Sequence, residues 1–361
     1  MLIVRSPVRI SFAGGGTDLP AYYERFGGAV LSTSINKYFY TILQKRTDGK
    51  VQVISSDLRV AETWHDIERM DVKGSQLEIP LSIMKEFGQN LSIDLFLASE
   101  ILPGTGLGSS ASVCVGVLKT LSEYLNLPLS KYQLAERAFN IARHVLGKPV
   151  GKQDEYAAAF GGLNFINFQP DGSVQVEPLV LRPDHQSELQ SNLMLFFTGS
   201  ARSSWKILEE QERSADKGVR STIDSMHEIR SLAEQMRETL GKGDLQNFGA
   251  LLHAGWEAKK KVSQQISNPV IDEAYASARQ NGALGGKITG AGGGGFLLLY
   301  CEEKCQAAVR EAMGKLGIHE MAFEFDTHGA RVVANDPFID EDARGGMRWT
   351  FEAAGSSSRS S

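Results

Sequence analysis

An α+β fold in two domains follows from three features: the chain's length, a switch between two hydrophobic periods along it, and clustered glycines. At 361 residues the chain exceeds the roughly 100–200 residues of an ordinary domain. Short runs with the two-residue period of strands alternate with longer stretches in which apolar residues recur at helical spacing. There are 37 glycines against 11 prolines, and some of them gather in three dense clusters. With 42% hydrophobic and 22% charged residues the composition is that of a folded globular chain. The 38 basic and 43 acidic side chains leave a net charge of −5, which removes the electrostatic case for nucleic-acid binding. No apolar run approaches the ~20 residues of a membrane span, and MLIVRSPVRIS lacks a signal-peptide core. Cys114, Cys301 and Cys305 cannot build a disulfide framework, so a cytoplasmic location is expected.

The elements run as follows. Leu2–Val4, Ala29–Leu31, Phe39–Leu43 and Val51–Ile54 predict antiparallel strands, with Thr47-Asp48-Gly49 as a turn. Leu91–Leu97 is a further strand. Val113, Val117, Leu121 and Leu125 place a helix over Ser112–Leu125, and a second covers about Ser130–Leu146. Leu163–Phe168 and Val174–Val180 predict strands across Pro170-Asp171-Gly172. The polar stretch Arg182–Gln190 is the expected boundary between a domain of residues 1–185 and one of residues 186–340. Beyond it come a strand at Leu193–Phe197, helix over Ser203–Leu240, helices at about Leu245–Lys261 and Asn268–Asn281, the strand Phe296–Tyr300 and a helix over about Lys304–Leu316. Ala322–Phe325 and Ala330–Val333 complete the second domain. Residues 341–361, ending in Ser/Gly-rich sequence, read as a tail.

The glycine groups carry the chemistry. Pro103-Gly104-Thr105-Gly106-Leu107-Gly108-Ser109-Ser110-Ala111 lies between a strand and a helix. The free N–H groups of a helix start suit phosphate, and glycines let backbone approach it closely. The same residues also make a glycine-rich turn with a serine cap. No lysine follows the last glycine, so this is not a Walker A loop. Gly285–Gly295 contains a formal G-x-G-x-x-G, yet it leads into a strand rather than opening a helix, and the dinucleotide-binding reading fails on that order. What is left is an arch, Gly292 and Gly293 within it, able to close over a ligand, or a long turn. The first group, Ser6–Asp18, sets Arg9 and Asp18 on either side of Gly14-Gly15-Gly16-Thr17. Arg9 suits a transferring phosphate and Asp18 sugar hydroxyls; each also suits a surface ion pair or turn cap.

These three motifs in this order resemble those of the GHMP small-molecule kinases, over residues 2 to about 333. Pro103–Ala111 matches the nucleotide loop P-x-x-G-L-G-S-S-A at every defined position. The resemblance implies an N-terminal domain with a left-handed β-α-β crossover, a ferredoxin-like C-terminal domain, and ATP with Mg2+ bound between them. It also implies that Pro103, Gly104, Gly106, Leu107, Gly108, Ser109, Ser110 and Ala111 hold the nucleotide, with Ser110 on the metal side. Asp154, in Gly151-Lys152-Gln153-Asp154, falls at the catalytic aspartate, with Arg9 offsetting charge on the transferred group and Lys152 as a further electrostatic group. The chain departs from the pattern at Ala142, where many members place a magnesium-binding Glu. Elsewhere, Cys301 with Cys305, and the His-Glu pairs at 227 and 319, lack the further ligands of a metal site.

Within the family, Phe12–Asp18, Gly151–Asp154, Phe197–Arg202 and Gly286–Phe296 are similar to the branch acting on D-glycero-D-manno-heptose 7-phosphate in nucleotide-heptose synthesis. Galactokinases carry an acidic residue and a histidine where this chain has Gly15 and Gly16. The change makes room for a larger or anionic substrate, or is a different turn of no consequence. Gly15, Gly16, Thr17, Asp18, Lys152, Arg202, Gly292 and Gly293 are the expected substrate contacts, Arg202 taking a substrate phosphate at a helix start; Trp256 and Lys259 are candidates for the same pocket. The implied reaction is ATP-dependent phosphorylation of the anomeric hydroxyl. An unphosphorylated hexose or fucose-like acceptor, and a binding regulator without catalysis, are the alternatives.

Overall fold

The computed structural model describes residues 1–88, 91–199 and 205–336. Its first sheet is built on β1 (Leu2–Ala13) and β2 (Gly28–Lys45), joined through helix α1 (Pro20–Phe26). Sequence periodicity suggests two strands where β2 is one, because Ser32–Lys37 is polar. The strand continues by burying the hydroxyls of this stretch; Ser34 Oγ, for example, donates to the Ala157 carbonyl (2.8 Å). Its two surplus residues bulge opposite Pro7, where pairing steps from Pro7–Tyr38 to Val8–Ile35. A proline has no N–H for the ladder and is tolerated at such a bulge.

The remaining strands of the first sheet are β3 (Val51–Ser55), β4 (Val60–Trp64), β5 (Ile93–Ser99), β6 (Leu163–Phe168), β7 (Val174–Pro178) and β12 (Arg331–Asn335). The order is β12-β1-β2-β5-β3-β4, with β6 and β7 extending from the other end of β2. β3 and β5 are parallel, with α2 (Glu78–Phe87) in the crossover between them. Neither β4 nor α2 is among the elements expected from the sequence; α2 carries Pro80 in its first turn. α2, α3 (Ser109–Tyr124), α4 (Lys131–Asn140) and α5 (Gln153–Phe160) cover one face over a core including Leu81, Val117, Leu121 and Ala158. The helix expected to run on to Leu146 changes at Ile141–Val145 to a π turn, closed by the Leu146 N–H on the Ile141 carbonyl (2.9 Å).

The second sheet contains β8 (Leu193–Phe197), β9 (Gly285–Ile288), β10 (Phe296–Tyr300) and β11 (His319–Glu320), antiparallel in the order β11-β8-β10-β9. That is the 4-1-3-2 order of a ferredoxin-like sheet. α7 (Trp205–Asp216), α8 (Arg220–Lys242), α9 (Leu245–Lys260) and α10 (Pro269–Gln280) lie between β8 and β9 in the chain, and α11 (Glu303–Lys315) precedes β11.

Four expectations are corrected. The polar stretch Arg182–Gln190, read as breaker sequence, is instead largely a helix, α6 (Pro183–Ser191), started by Pro183 and anchored by buried Leu189. The single long helix is two, broken around Gly218 at φ 65°. The first half of the third glycine group is strand β9, its glycines admitting backbone to within contact of Gly249 and Leu298. Finally, Arg331–Asn335 returns to the first sheet, pairing with β1. A shared core joins the two sheets: Val8, Ile10, Phe12 and Phe165 of the first pack with Leu195 and Leu298 of the second and with Met236, Phe248 and Leu252 of α8 and α9.

Candidate active site

The loop from β5 into α3 uses glycine for two reasons. Gly104, Gly106 and Gly108 have φ of 77°, 82° and 77°, in the left-handed region that side chains resist. Gly106 also lies against the third motif: a Cβ there would stand 2.4 Å from the Thr289 carbonyl oxygen, and one on Gly290 2.7 Å from the Gly106 Cα. Phe296 N–H donates to the Thr105 carbonyl (3.3 Å). Two glycine motifs about 180 residues apart are thus in backbone contact. α3 starts at Ser109 with no side-chain cap, leaving its first N–H groups for a ligand.

Across this helix start lies the Arg9–Asp154 pair. Arg9 Nε and Nη2 both reach Asp154 Oδ1, at 2.8 and 2.6 Å, and Nη1 donates to the Gly106 carbonyl (2.7 Å). The backbone of Arg9 donates to the Leu107 carbonyl (2.9 Å). One buried guanidinium therefore ties the start of α5 to the glycine loop. Asp18 is buried beside them, its Oδ1 accepting from Gly16 N–H (2.8 Å) and Gln153 Nε2 (3.0 Å) and its Oδ2 from Gln153 N–H (3.2 Å). Burial raises the Asp18 carboxyl above its ordinary value, and the negative Asp154 adds to the rise. Glu155 is pushed well up, first by burial and then by Asp154.

These groups line a cavity of about 470 Å3. Of the expected residues, Arg9, Gly15, Gly16, Asp18, Pro103, Gly104, Gly106, Gly108, Ser109, Ser110, Ala111 and Asp154 face it, and Ala142 faces it from the π turn. Others do not. Thr17 is buried in its turn, donating to the Gly14 and Ala29 carbonyls (2.8 and 3.0 Å). Leu107 is core. Lys152 points away into a cage, bonded to Glu136 (2.8 and 3.0 Å) and the Gly172 carbonyl (2.8 Å), with its ammonium over Phe139. Gly292 and Gly293 turn toward Ile266, where Gly293 N–H donates to the Ile266 carbonyl (2.8 Å); Gly290 and Ala291 are the arch residues at the cavity. Trp256 is core, and Arg202 lies outside the described residues.

Lys259, one turn on from Trp256, does reach the cavity, donating to the Gly15 carbonyl (2.8 Å). Burial pulls its ammonium down to about 8, against the opposing pull of Asp18. Sequence reading missed Gln153, which braces Asp18, and Trp205 at the cavity edge. Gln153 adjoins a motif aspartate, but nothing in the sequence marks Trp205, whose place is set by α7 folding back on α1.

Residues 78–162 match the model of the GHMP kinases N-terminal domain, and residues 236–319 that of the GHMP kinases C-terminal domain. D-glycero-alpha-D-manno-heptose 7-phosphate kinase of Campylobacter jejuni is 34% identical over 334 residues, covering 91% of this chain and 97% of that protein. The chain is a GHMP kinase. A solved D-glycero-D-manno-heptose 1-phosphate kinase from Bacteroides thetaiotaomicron superimposes on this kinase with a TM-score of 0.78 at 28% identity, over 93% of this chain and all of the other. Galactokinase of Lactococcus lactis, solved with galactose, shares the fold at a TM-score of 0.72 and 22% identity, over 91% of this kinase and 94% of the relative. Members of the family use ATP as substrate, and the two sheets with their intervening cavity are the family's two-domain fold. Among the described residues of this kinase no helix is long and apolar enough to cross a membrane.

Proposed function

We propose that this kinase transfers the γ-phosphoryl group of ATP to the anomeric hydroxyl of D-glycero-D-manno-heptose 7-phosphate, yielding the 1,7-bisphosphate and ADP. The observation that carries this reading is the Arg9 guanidinium, shared between Asp154 and the Gly106 carbonyl of the glycine loop. It puts a carboxylate, a cation and the open start of a helix on one wall of one cavity, the three groups phosphoryl transfer needs.

Asp154 Oδ1 is occupied by Arg9; Oδ2, with no hydrogen bond to another described residue, takes the proton of the acceptor hydroxyl. The deprotonated sugar oxygen then forms the bond to the γ-phosphorus as the bond from phosphorus to the bridging oxygen breaks, and ADP leaves with the electron pair. Arg9 steadies the charge on the group in flight. The glycine loop, Ser109 and the α3 N–H groups hold the nucleotide phosphates. Asp18, fixed by Gly16 and Gln153, orients sugar hydroxyls.

Among the described residues no cluster of three or more His, Cys, Asp or Glu is placed to hold a metal. An exposed serine hydroxyl at the loop, with Ala142 opposite, fits an ion carried largely by nucleotide phosphates and water, which suits Mg2+. Ser110 would be its protein ligand, and when bound the ion neutralises charge on the β- and γ-phosphates.

The names of the two heptose kinases differ over which end of the acceptor already carries phosphate. Supplying ATP with heptose 7-phosphate, heptose 1-phosphate, fucose and galactose in separate assays of ADP release, and locating the new phosphate by 31P NMR, decides it. Turnover confined to heptose 7-phosphate supports the proposal; preference for any other acceptor overturns it.

A further inference from the structure

Beside the transfer groups lies a second set of polar side chains that the transfer does not use. Lys259 and Lys287 are both buried, at 6% and 5% exposure. Lys259 spends one of its three N–H donors on the Gly15 carbonyl. Lys287, on β9 just before the arch, is buried with the charges of Lys259 and Arg9 both bearing on it. Gln211 of α7 is 1% exposed, with neither its amide nitrogen nor its oxygen bonded. Gln211 and Lys259 converge on Gly16: a Cβ there would stand 3.5 Å from Gln211 Oε1 and 3.6 Å from Lys259 Nζ.

A buried ammonium is costly unless paired, and a buried amide costs about 1–3 kcal/mol for lost hydrogen bonds. Here two ammonium groups lie close enough to repel each other. Asp18 pulls on Lys259 from a distance while its oxygens accept from Gly16 and Gln153, and Asp154 is bonded to Arg9. Burial takes Lys287 down to about 7. A folded chain holds such a cluster at a loss unless something anionic completes it, and a phosphate dianion supplies acceptors for every idle donor.

We propose that Lys259, Lys287 and Gln211 form the seat for the phosphate the acceptor sugar already carries, reached from the cavity along Lys259 and the Gly15-Gly16 turn. This rests on the reading of the acceptor as a sugar phosphate. It sets the acceptor's direction in the cavity: anomeric end at Asp154 and Arg9, phosphate end beneath α9 and β9. Selection against unphosphorylated sugars then comes from the C-terminal half of the chain, while the chemistry comes from the N-terminal half.

The test compares wild type with Lys259→Met and Lys287→Met, using heptose 7-phosphate and unphosphorylated heptose with saturating ATP, and measures the KM for ATP of each. Each variant should lose about 10–200-fold in kcat/KM for the phosphorylated sugar, the value of one charge-assisted hydrogen bond of roughly 1.5–3 kcal/mol. With unphosphorylated heptose the loss should be at least tenfold smaller than with the sugar phosphate, and the KM for ATP should not move. Circular dichroism and thermal melts check the fold, and Lys259→Arg, which keeps the charge, should recover most of the loss. Equal losses with both sugars, or a rise in the KM for ATP, overturn the proposal and give these lysines to the transferred phosphoryl group. Should wild type ignore every sugar phosphate, the acceptor reading itself fails, a result visible before any variant is made.

Discussion

Asp154→Asn separates what Asp154 does as a base from what it does as a partner. The substitution keeps an oxygen where Arg9 Nε and Nη2 now bond at 2.8 and 2.6 Å, so both hydrogen bonds survive but lose their charged acceptor. A hydrogen bond to a charged group contributes about 1.5–3 kcal/mol and a neutral one about 0.5–1.5. At about 1–1.5 kcal/mol for each of the two bonds, the folding penalty should be about 2–3 kcal/mol, at or below the roughly 3–5 kcal/mol of leaving a buried charge unpaired. The amide cannot accept the acceptor's proton, and a positioned base is worth about 10²–10⁴ in rate, or roughly 3–5 kcal/mol of barrier. Rapid-quench measurement of a single turnover reads that barrier free of product release, calorimetry reads ATP affinity, and urea denaturation reads stability. The expected pattern is a large fall in the transfer step, ATP affinity within about threefold, and a moderate loss of stability. A transfer rate within threefold of wild type would refute the assignment. A fall in ATP affinity as large as the fall in rate would show that Asp154 acts by shaping the glycine loop through Arg9.

Three further outcomes are expected. Gly106→Ala should destabilise by several kcal/mol in urea and weaken ATP binding, since its Cβ would meet the Thr289 carbonyl. Gly49→Ala, at a similar φ of 72° with nothing within 4 Å, should cost only the ~1–2 kcal/mol of backbone strain; equal penalties would mean that the arch yields freely. Lys287→Met should stabilise the empty protein at pH 7. The ordinary ammonium near 10.5 is held at about 7 in the fold, so the unfolded chain binds more protons between those values, and wild-type stability should rise with pH across that window. At about 1.4 kcal/mol per unit the gain is on the order of a few kcal/mol; parallel stability curves for the two proteins from pH 7 to 10 would rule it out. Ser110→Ala should raise the Mg2+ concentration giving half-maximal activity several-fold while leaving the fold by circular dichroism unchanged; an unaltered Mg2+ dependence would remove Ser110 from the metal's side.

Local chemistry made much of this kinase legible along the chain. Leu193–Phe197 and Phe296–Tyr300 read as strands because both faces are buried and the runs are continuously apolar. Asn268 marks a helix start because its side chain caps the Ile271 N–H (3.1 Å). The glycine loop and Asp154 stand out because close backbone approach to phosphate and a carboxylate at a helix start leave local signatures. What the tertiary structure decided is which residues of those motifs meet. Lys152 and Asp154 are two residues apart, yet Lys152 turns into its cage while Asp154 faces the cavity, because successive side chains at a helix start diverge. Gly292 and Gly293 face Ile266, while Gly290 touches Gly106, a pairing set by how β9 and β10 bring the arch against the loop. Strand β2 runs through polar residues because Gly162, Asp326 and Ala157 offer partners from distant parts of the chain. Of Lys259, Lys287 and Gln211, the sequence marks Lys259 as a pocket candidate and sets Lys287 within the third glycine motif, while nothing marks Gln211; their common burial is decided only when α7, α9 and β9 close around them.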